Sequence, residues 1–291
     1  MLFGRYTSAL SLLAAFTLVG CGAPEQHTAD TKIIGGTTVD SDQDDARRLS
    51  TVALTSDVTS DPNRPSPLAS GKSFCTGTVI APRVVLTAAH CLQEFDPQTR
   101  ETGNLFYPRY RDYLVHFGTE VSAAAGQQIP AQKVIPHPNW SPKDTLSPQP
   151  SRSPDDIGIV ILSRPIPNGY RVAPIAPLNI GLEEGDPVHL AGYGVTRTRE
   201  NNDTGVLRQV TTEFQSRNAR LKLVTVGAPE RGACGGDSGG PMYIKRDGRL
   251  QVVGATSTGA EDDGRCLGVR NNYTDARRYT DWIDDVIAAE L

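Results

Sequence analysis

The chain has 291 residues, with 38% apolar and 21% charged side chains, as in soluble globular proteins, and is long enough for one large domain or two small ones. Its 29 basic and 33 acidic residues give a net charge of −4 with no basic block, which argues against nucleic acid as a partner. Twenty-eight glycines and 21 prolines point to frequent turns, as in all-β folds.

Residues 1–20 read as a signal peptide. Arg5 precedes an apolar run from Ala9 to Gly20 that is too short to span a membrane comfortably. The run ends in Leu18-Val19-Gly20-Cys21, which resembles the lipobox of bacterial lipoproteins. That resemblance implies a lipid on Cys21 and an exported bacterial lipoprotein precursor, held at a membrane only through that lipid. Residues 21–32 would then be a lipid-anchored propeptide or spacer; they are polar and lack periodicity. There are five cysteines, an odd number for an exported protein: Cys21, Cys75, Cys91, Cys234 and Cys266. Acylation of Cys21 leaves four for two disulfides, which an oxidising compartment would preserve. Directly after the spacer, Lys32 is followed by Ile33-Ile34-Gly35-Gly36. This is either a strand start or a cleavage site whose new end matters.

From Ile33 onward, short apolar runs alternate with turn formers. STVALTS, GTVIAPRVVLTAA, YLVHFG, IGIVIL, PVHLAGYG, LKLVTVG and LQVVGATS all read as strands. Many short strands at such spacing predict a sandwich or barrel rather than a βαβ protein. Residues 56–72, 96–112 and 141–155 are rich in turn formers and read as surface loops. At the end, Tyr279, Trp282, Ile283, Val286 and Ile287 fall on one face of a helix over about 279–290. It is expected to pack on the domain.

The chemistry centres on GGDSGGP, Gly235 to Pro241. A serine among glycines lets backbone N–H groups crowd around its hydroxyl, the geometry of an oxyanion hole. A serine nucleophile needs a base, and the base needs an orienting group. The five histidines, His27, His90, His116, His137 and His189, all precede Ser238. This excludes the α/β-hydrolase order, in which the histidine follows the serine. His90 ends an apolar strand beside Cys91, and Asp156 stands directly before the apolar run IGIVIL. The other four histidines read as structural or as part of the spacer. No H-E-x-x-H or clustered Cys/His site appears, so neither zinc nor another cofactor is expected.

LTAAHC, DIGIVIL and GDSGGP, in that order, resemble the trypsin/chymotrypsin family of serine endopeptidases over nearly all of residues 33–291. The resemblance implies an all-β fold of two antiparallel six-stranded β-barrels with a C-terminal helix. It implies a monomer acting on protein or peptide substrates through a His90–Asp156–Ser238 triad, with the N–H groups of Gly236 and Ser238 as oxyanion donors. It pairs Cys75 with Cys91 and Cys234 with Cys266. It places the substrate at Gly232, Ala233, Ser257, Thr258 and Gly259. Gly232 is uncharged where trypsin-like members carry Asp, so tryptic specificity is not expected; Gly259 at the entrance leans toward a bulky apolar side chain, and Asp262, Asp263, Asn271 and Asn272 could repolarise the site. No calcium is expected, since Glu120 has no clear acidic partner. Finally, the family implies a zymogen: an activating protease cuts after Lys32, and the new amine of Ile33 pairs with Asp237. Both expected disulfides lie after Ile33, so the same cut would free the domain from its anchor. The alternative is an inactive homologue acting as a cell-surface binding lipoprotein. Such proteins usually lose a triad member, and this chain keeps all three.

Overall fold

The computed structural model describes Met1 and residues 33–40, 45–56, 73–95, 102–105, 113–121, 127–141, 155–196, 204–228, 231–259 and 270–291. A two-residue strand, β1 (Thr37–Thr38), and one helical turn, α1 (Ala46–Leu49), lead into the first set of strands. These are β2 (Thr51–Ser56), β3 (Ser73–Ala81), β4 (Val84–Thr87), the hairpin β5 (Gln93–Phe95) and β6 (Thr102–Leu105), β7 (Tyr113–Phe117), β8 (Gln127–Pro136) and β9 (Gly158–Leu162). The second set comprises β10 (Pro187–Gly192), β11 (Arg208–Asn218), β12 (Leu223–Val226), β13 (Pro241–Arg246), β14 (Arg249–Gly259) and β15 (Asn271–Asp275), followed by α2 (Thr280–Glu290).

Two closed antiparallel barrels result. The first runs β2–β3–β4–β9–β8–β7. The second runs β11–β10–β13–β14–β15–β12 and closes through β12 on β11, with β1 added beside β11. Closure removes the unpaired edges that would otherwise invite aggregation.

The two-residue side-chain period of a strand explains how the barrels pack. In β2, Val52 and Leu54 point into the first barrel, while Ala53 points to a cluster shared with the second. In β9, Val160 and Leu162 fill the first barrel and Ile159 and Ile161 the shared cluster. Both faces of β9 are therefore buried, which is why IGIVIL is an unbroken apolar run. Leu190, Val210, Phe214, Val224 and Met242 fill the second barrel. Between the barrels, Leu86, Ile159 and Ile161 meet Tyr193, Leu207 and Tyr243. Tyr279 and Ile283 are buried in this same cluster, and Trp282, Val286 and Ile287 pack against it. The helix face expected from the sequence is the one observed, with Tyr279 as the residue preceding the first turn.

Two expectations are corrected. Within the stretch 96–112, Thr102–Leu105 form a strand rather than loop, paired with β5. The segment QQIPAQKVIP, which was not among the expected strands, forms β8 between β7 and β9. The rest of 57–72, 96–112 and 142–154 lies outside the described residues, as do residues 2–32.

Candidate active site

His90 lies on a short 3₁₀ turn, Ala89–Cys91, that ends β4. Asp156 sits just before β9, the neighbour of β4 in the first barrel. This pairing brings the two together: His90 Nδ1 is 2.8 Å from Asp156 Oδ2, and the His90 backbone N–H donates to Oδ1 at 3.0 Å. Asp156 is 0% exposed. The hydroxyl of Ser257 donates to Oδ2 at 2.6 Å, and Thr274 donates to the Asp156 carbonyl at 2.8 Å. Both arrive from the second barrel, so the carboxylate is held from both sides. Burial works against ionisation of each partner, and their mutual attraction wins. Burial alone would lower the His90 pKa, but the Asp156 charge and hydrogen bond raise it above its usual value. Burial alone would raise the Asp156 pKa, but the His90 charge, its hydrogen bonds and Ser257 hold it below the usual carboxylate value.

Ser238 is carried on the loop between the 231–235 segment and β13. Its carbonyl accepts from Thr76 N–H at 2.8 Å, and the next residue, Gly239, donates to Thr256 at 2.7 Å. The loop is thus clamped between β3 of one barrel and β14 of the other. A Cβ on Gly239 would stand 2.8 Å from the Ala88 nitrogen, so the loop lies directly against the strand end that carries His90. Cys91 Sγ is 3.6 Å from the Ser238 carbonyl oxygen. Gly236 has φ 94°, a left-handed conformation that favours glycine, and its carbonyl accepts from Thr76 Oγ1 at 2.9 Å. Among the described residues, neither the Gly236 nor the Ser238 N–H donates to a protein acceptor.

Asp237 is buried, at 1% exposure, and accepts from Gly194 N–H at 2.8 Å and Cys234 N–H at 2.9 Å. Gly192 and Gly194 make room for it. A Cβ on Gly192 would lie 2.2 Å from Asp237 Oδ1, and one on Gly194 2.6 Å from its Cγ. Ile33 is buried in the second-barrel cluster with Leu190 and Phe214, and Ile34 beside Val195 and Cys234, at 1% and 3% exposure. Ile34 bridges to Gly232, whose N–H donates to the Ile34 carbonyl at 3.2 Å. Ile33 has φ 57°, an unfavourable region for a β-branched residue.

Of the residues expected to bind substrate, Gly232 and Ala233 lie on the 231–235 segment and Ser257, Thr258 and Gly259 at the end of β14. Ser257, Thr258 and Gly259 extend β14 beyond its pairing with β13, which stops at Pro241↔Ala255. The structure gives Ser257 a further task, because its hydroxyl is committed to Asp156. Thr258 accepts from Asn272 Nδ2 at 3.3 Å. Ala233 is tied through both its N–H and its carbonyl to the side chain of Asn271.

Cys75 and Cys91 form a disulfide as expected. They lie close to His90, but sulfurs bonded to each other are not thiolate ligands for a metal. Cys234 is also disulfide-bonded; Cys266, its expected partner, lies outside the described residues, as do Cys21, His27 and Lys32.

One cluster was missed in the sequence. Asp155, with φ 69°, turns away from Asp156 and accepts from Lys222 Nζ at 2.9 Å and Tyr279 Oη at 2.8 Å. Lys222 also sits 4.4 Å from the centre of the Tyr279 ring, and His137 packs edge-on against Tyr279 and Trp282. Burial alone would push the Asp155 carboxyl up, but Lys222 and Tyr279 hold it below its usual value. Only "DD" before the apolar run hinted at a second carboxylate. Its partners lie 67 and 124 residues away in sequence. Gly192 and Gly194 could have been noticed as a G-x-G closing a strand, but nothing local links them to Asp237.

Comparison with known proteins agrees with this geometry. A family profile described as Trypsin matches residues 58–283. The chain is 32% identical over 231 residues to "Phenoloxidase-activating enzyme 1" of Spodoptera litura, covering 74% of this chain and 59% of that protein. It is 30% identical over 234 residues to "Serine protease 1" of Rattus norvegicus, covering 76% and 83%. It is 31% identical over 229 residues to "Kallikrein-8" of Homo sapiens, covering 75% and 78%. The chain therefore spans less than two thirds of the insect protein and most of the two mammalian ones. On the extent of these matches, the chain belongs to the trypsin family of serine proteases.

Proposed function

We propose that this chain is an exported serine endopeptidase, made as a zymogen, that cuts peptide bonds through an acyl-enzyme on Ser238. The observation that carries the reading is the fully buried Asp156 carboxylate, bonded to His90 Nδ1 and Ser257, beside a Ser238 loop in which two N–H groups donate to no acceptor among the described residues. In the proposed cycle, His90 Nε2 takes the Ser238 proton as Oγ attacks the peptide carbonyl. Asp156 holds the tautomer and stabilises the imidazolium. The N–H groups of Gly236 and Ser238 receive the oxyanion, and each such donor is worth about 2.7–4 kcal/mol. His90 then protonates the leaving amine, and water attacks the acyl-enzyme. A peptide substrate would add as a strand along Ser257–Gly259.

Two features support activation by a cut after Lys32. Asp237 is a buried carboxylate that accepts from the Gly194 and Cys234 N–H groups, and a new charged amine beside it would stabilise its ionised form. Ile33 carries a strained φ, at a cost of roughly 1–3 kcal/mol. Cutting the Lys32–Ile33 bond abolishes that torsional constraint and supplies the amine. In this reading the new Ile33 amine pairs with Asp237, and cleavage favours that pairing on both counts. If Cys21 is acylated, the same cut releases the domain from its membrane. A Lys32→Gln chain should stay in the membrane fraction and fail to react with a fluorophosphonate. Wild-type chain should appear soluble, reactive and with Ile33 as its first residue. Reactive Lys32→Gln chain would overturn the activation step, and a membrane-retained chain beginning at Ile33 would overturn the release step.

A further inference from the structure

Asp155 and Asp156 are adjacent carboxylates with opposite commitments. Asp156 faces His90 and Ser257, whereas Asp155 accepts from Lys222 Nζ at 2.9 Å and Tyr279 Oη at 2.8 Å. The same Tyr279 oxygen accepts the Asp155 backbone N–H at 3.0 Å, so one hydroxyl holds both the main chain and the side chain of this residue. Asp155 adopts φ 69°, a left-handed conformation that costs a non-glycine residue roughly 1–3 kcal/mol and persists only where its surroundings hold it. Its carbonyl closes a tight turn by accepting the Ile157 N–H at 2.8 Å. Asp156 is the middle residue of that turn, so its orientation depends on the backbone at Asp155. The anchor continues into the second barrel. Lys222 precedes β12, and its own carbonyl accepts from Asp275 N–H at 2.8 Å. Asp275 follows Thr274, whose hydroxyl donates to the Asp156 carbonyl at 2.8 Å. The turn is thus tied to β15 twice, directly through Thr274 and indirectly through Asp155 and Lys222.

We propose that Asp155 and Lys222 are positioning residues for the reaction: their ion pair, completed by Tyr279, fixes the backbone turn that aims Asp156 at His90. The inference rests on the endopeptidase reading and deepens it. The pair is well held. Asp155 is 8% exposed, and the Lys222 ammonium also stands 4.4 Å from the centre of the Tyr279 ring, so the cation is gripped by the carboxylate and the ring together. Tyr279 itself is buried between the barrels, which fixes the hydroxyl that both Asp155 bonds depend on. His137, packed edge-on against Tyr279, is the other titratable group on this cluster. Lys222 also separates the roles of two neighbouring carboxylates, since by engaging Asp155 it leaves Asp156 to the histidine. Its action runs through the backbone: the bonds that Asp156 itself accepts come from His90, Ser257 and Thr274. A turn released at Asp155 would therefore misplace Asp156 without removing any group from the reaction, and small misplacements of an oriented group are costly to rate.

The test uses the chain cut after Lys32, with reactive sites counted by fluorophosphonate titration so that kcat refers to competent enzyme alone. Asp155→Gly leaves the left-handed turn accessible while removing the side chain that anchors it. It should lower kcat about ten- to a hundredfold with KM changed by less than about threefold, short of the roughly 10⁴-fold expected for loss of the Asp156 carboxylate. The His90 limb of the kcat/KM profile should move to lower pH, and the low-field proton signal of His90 Nδ1–H should shift upfield as its bond to Asp156 lengthens. Lys222→Met should move the same three readouts in the same direction by a smaller amount, and it carries the test if Asp155→Gly does not fold. Asp155→Asn keeps an acceptor for Lys222 and Tyr279 and tolerates the left-handed region, so it should restore kcat to within about threefold of wild type. Variants with lowered stability but native kcat, pH limb and proton signal would make the pair merely structural and overturn the proposal. So would an Asp155→Asn enzyme as impaired as Asp155→Gly. A wild-type chain that does not label overturns the endopeptidase reading and this inference with it.

Discussion

Gly194→Ala tests how the second barrel prepares the nucleophile loop. The backbone at Gly194 is not in the left-handed region, so the substitution acts through space rather than torsional strain. The new methyl carbon would stand 2.6 Å from Asp237 Cγ and 2.7 Å from its nitrogen and Oδ1. Ordinary contact begins at 3.4 Å, so Asp237 must move by 3.4 − 2.6 = 0.8 Å. A shift of that size stretches the bonds from Gly194 N–H at 2.8 Å and Cys234 N–H at 2.9 Å beyond useful length. Each hydrogen bond to a charged group is worth about 1.5–3 kcal/mol, so the pair accounts for about 3–6 kcal/mol. For a domain of this size, that loss corresponds to a fall in Tm on the order of 10 °C. Gly236 and Ser238 flank Asp237 directly, so their N–H groups are displaced with it. Fluorophosphonate labelling of the cut enzyme should slow by about 10²-fold, the cost of losing one oxyanion donor. Gly181→Ala is the control, because its Cβ would meet nothing within 4 Å. A Gly194→Ala enzyme with native Tm and native labelling rate would refute the claim that Asp237 is packed to position Ser238.

The pH profile follows from the His90–Asp156 pair. His90 must be neutral to accept a proton, and its pKa is raised, so kcat/KM should rise with pH through a value above 6.5. The stability contribution has the opposite sign: it is full below 6.5 and lost as pH rises through the folded value. Asp156→Asn should lower kcat about 10⁴-fold and move that limb down; an unshifted limb would assign it to another group. Lys222→Met removes a cation from the buried Asp155 carboxylate and should cost about 1–3 kcal/mol in urea unfolding at neutral pH. Asp155 has a lowered pKa, so its contribution is present above 3.8 and lost as pH falls through the folded value; Lys222→Met should shift acid unfolding to higher pH. Replacing Cys75 and Cys91 by serine opens a loop with a sequence separation of 16 and should cost about 3 kcal/mol by chain entropy, read from the denaturant midpoint.

Much of the fold was legible because the strands carry local signals. β2, β9, β10 and β14 are apolar runs bounded by turn formers, and α2 shows its buried stripe directly. β8 was not legible, for a physical reason. It contains Pro130 and Pro136, which ordinarily argue against an interior strand. The chain tolerates them because the β8–β9 register slips between Ala131 and Lys133, and because the Pro130 carbonyl still accepts from Ser163. In the site, His90, Asp156 and Ser238 announce themselves through neighbouring residues. The supports do not. Lys222 and Tyr279 reach Asp155 across the fold, Gly192 and Gly194 matter only because Asp237 is folded against them, and Asn271 meets Ala233 over a separation of 38 residues. Such contacts depend on the register of two closed barrels and leave no pattern in any local window.

The most direct measurement of the central claim is the mass of the cut enzyme after brief mixing with a slowly deacylating ester substrate. The account predicts one acyl group per chain, mapped by peptide fragmentation to Ser238 and lost in Ser238→Ala. Turnover without a covalent adduct on Ser238, or an adduct that persists in Ser238→Ala, would contradict it.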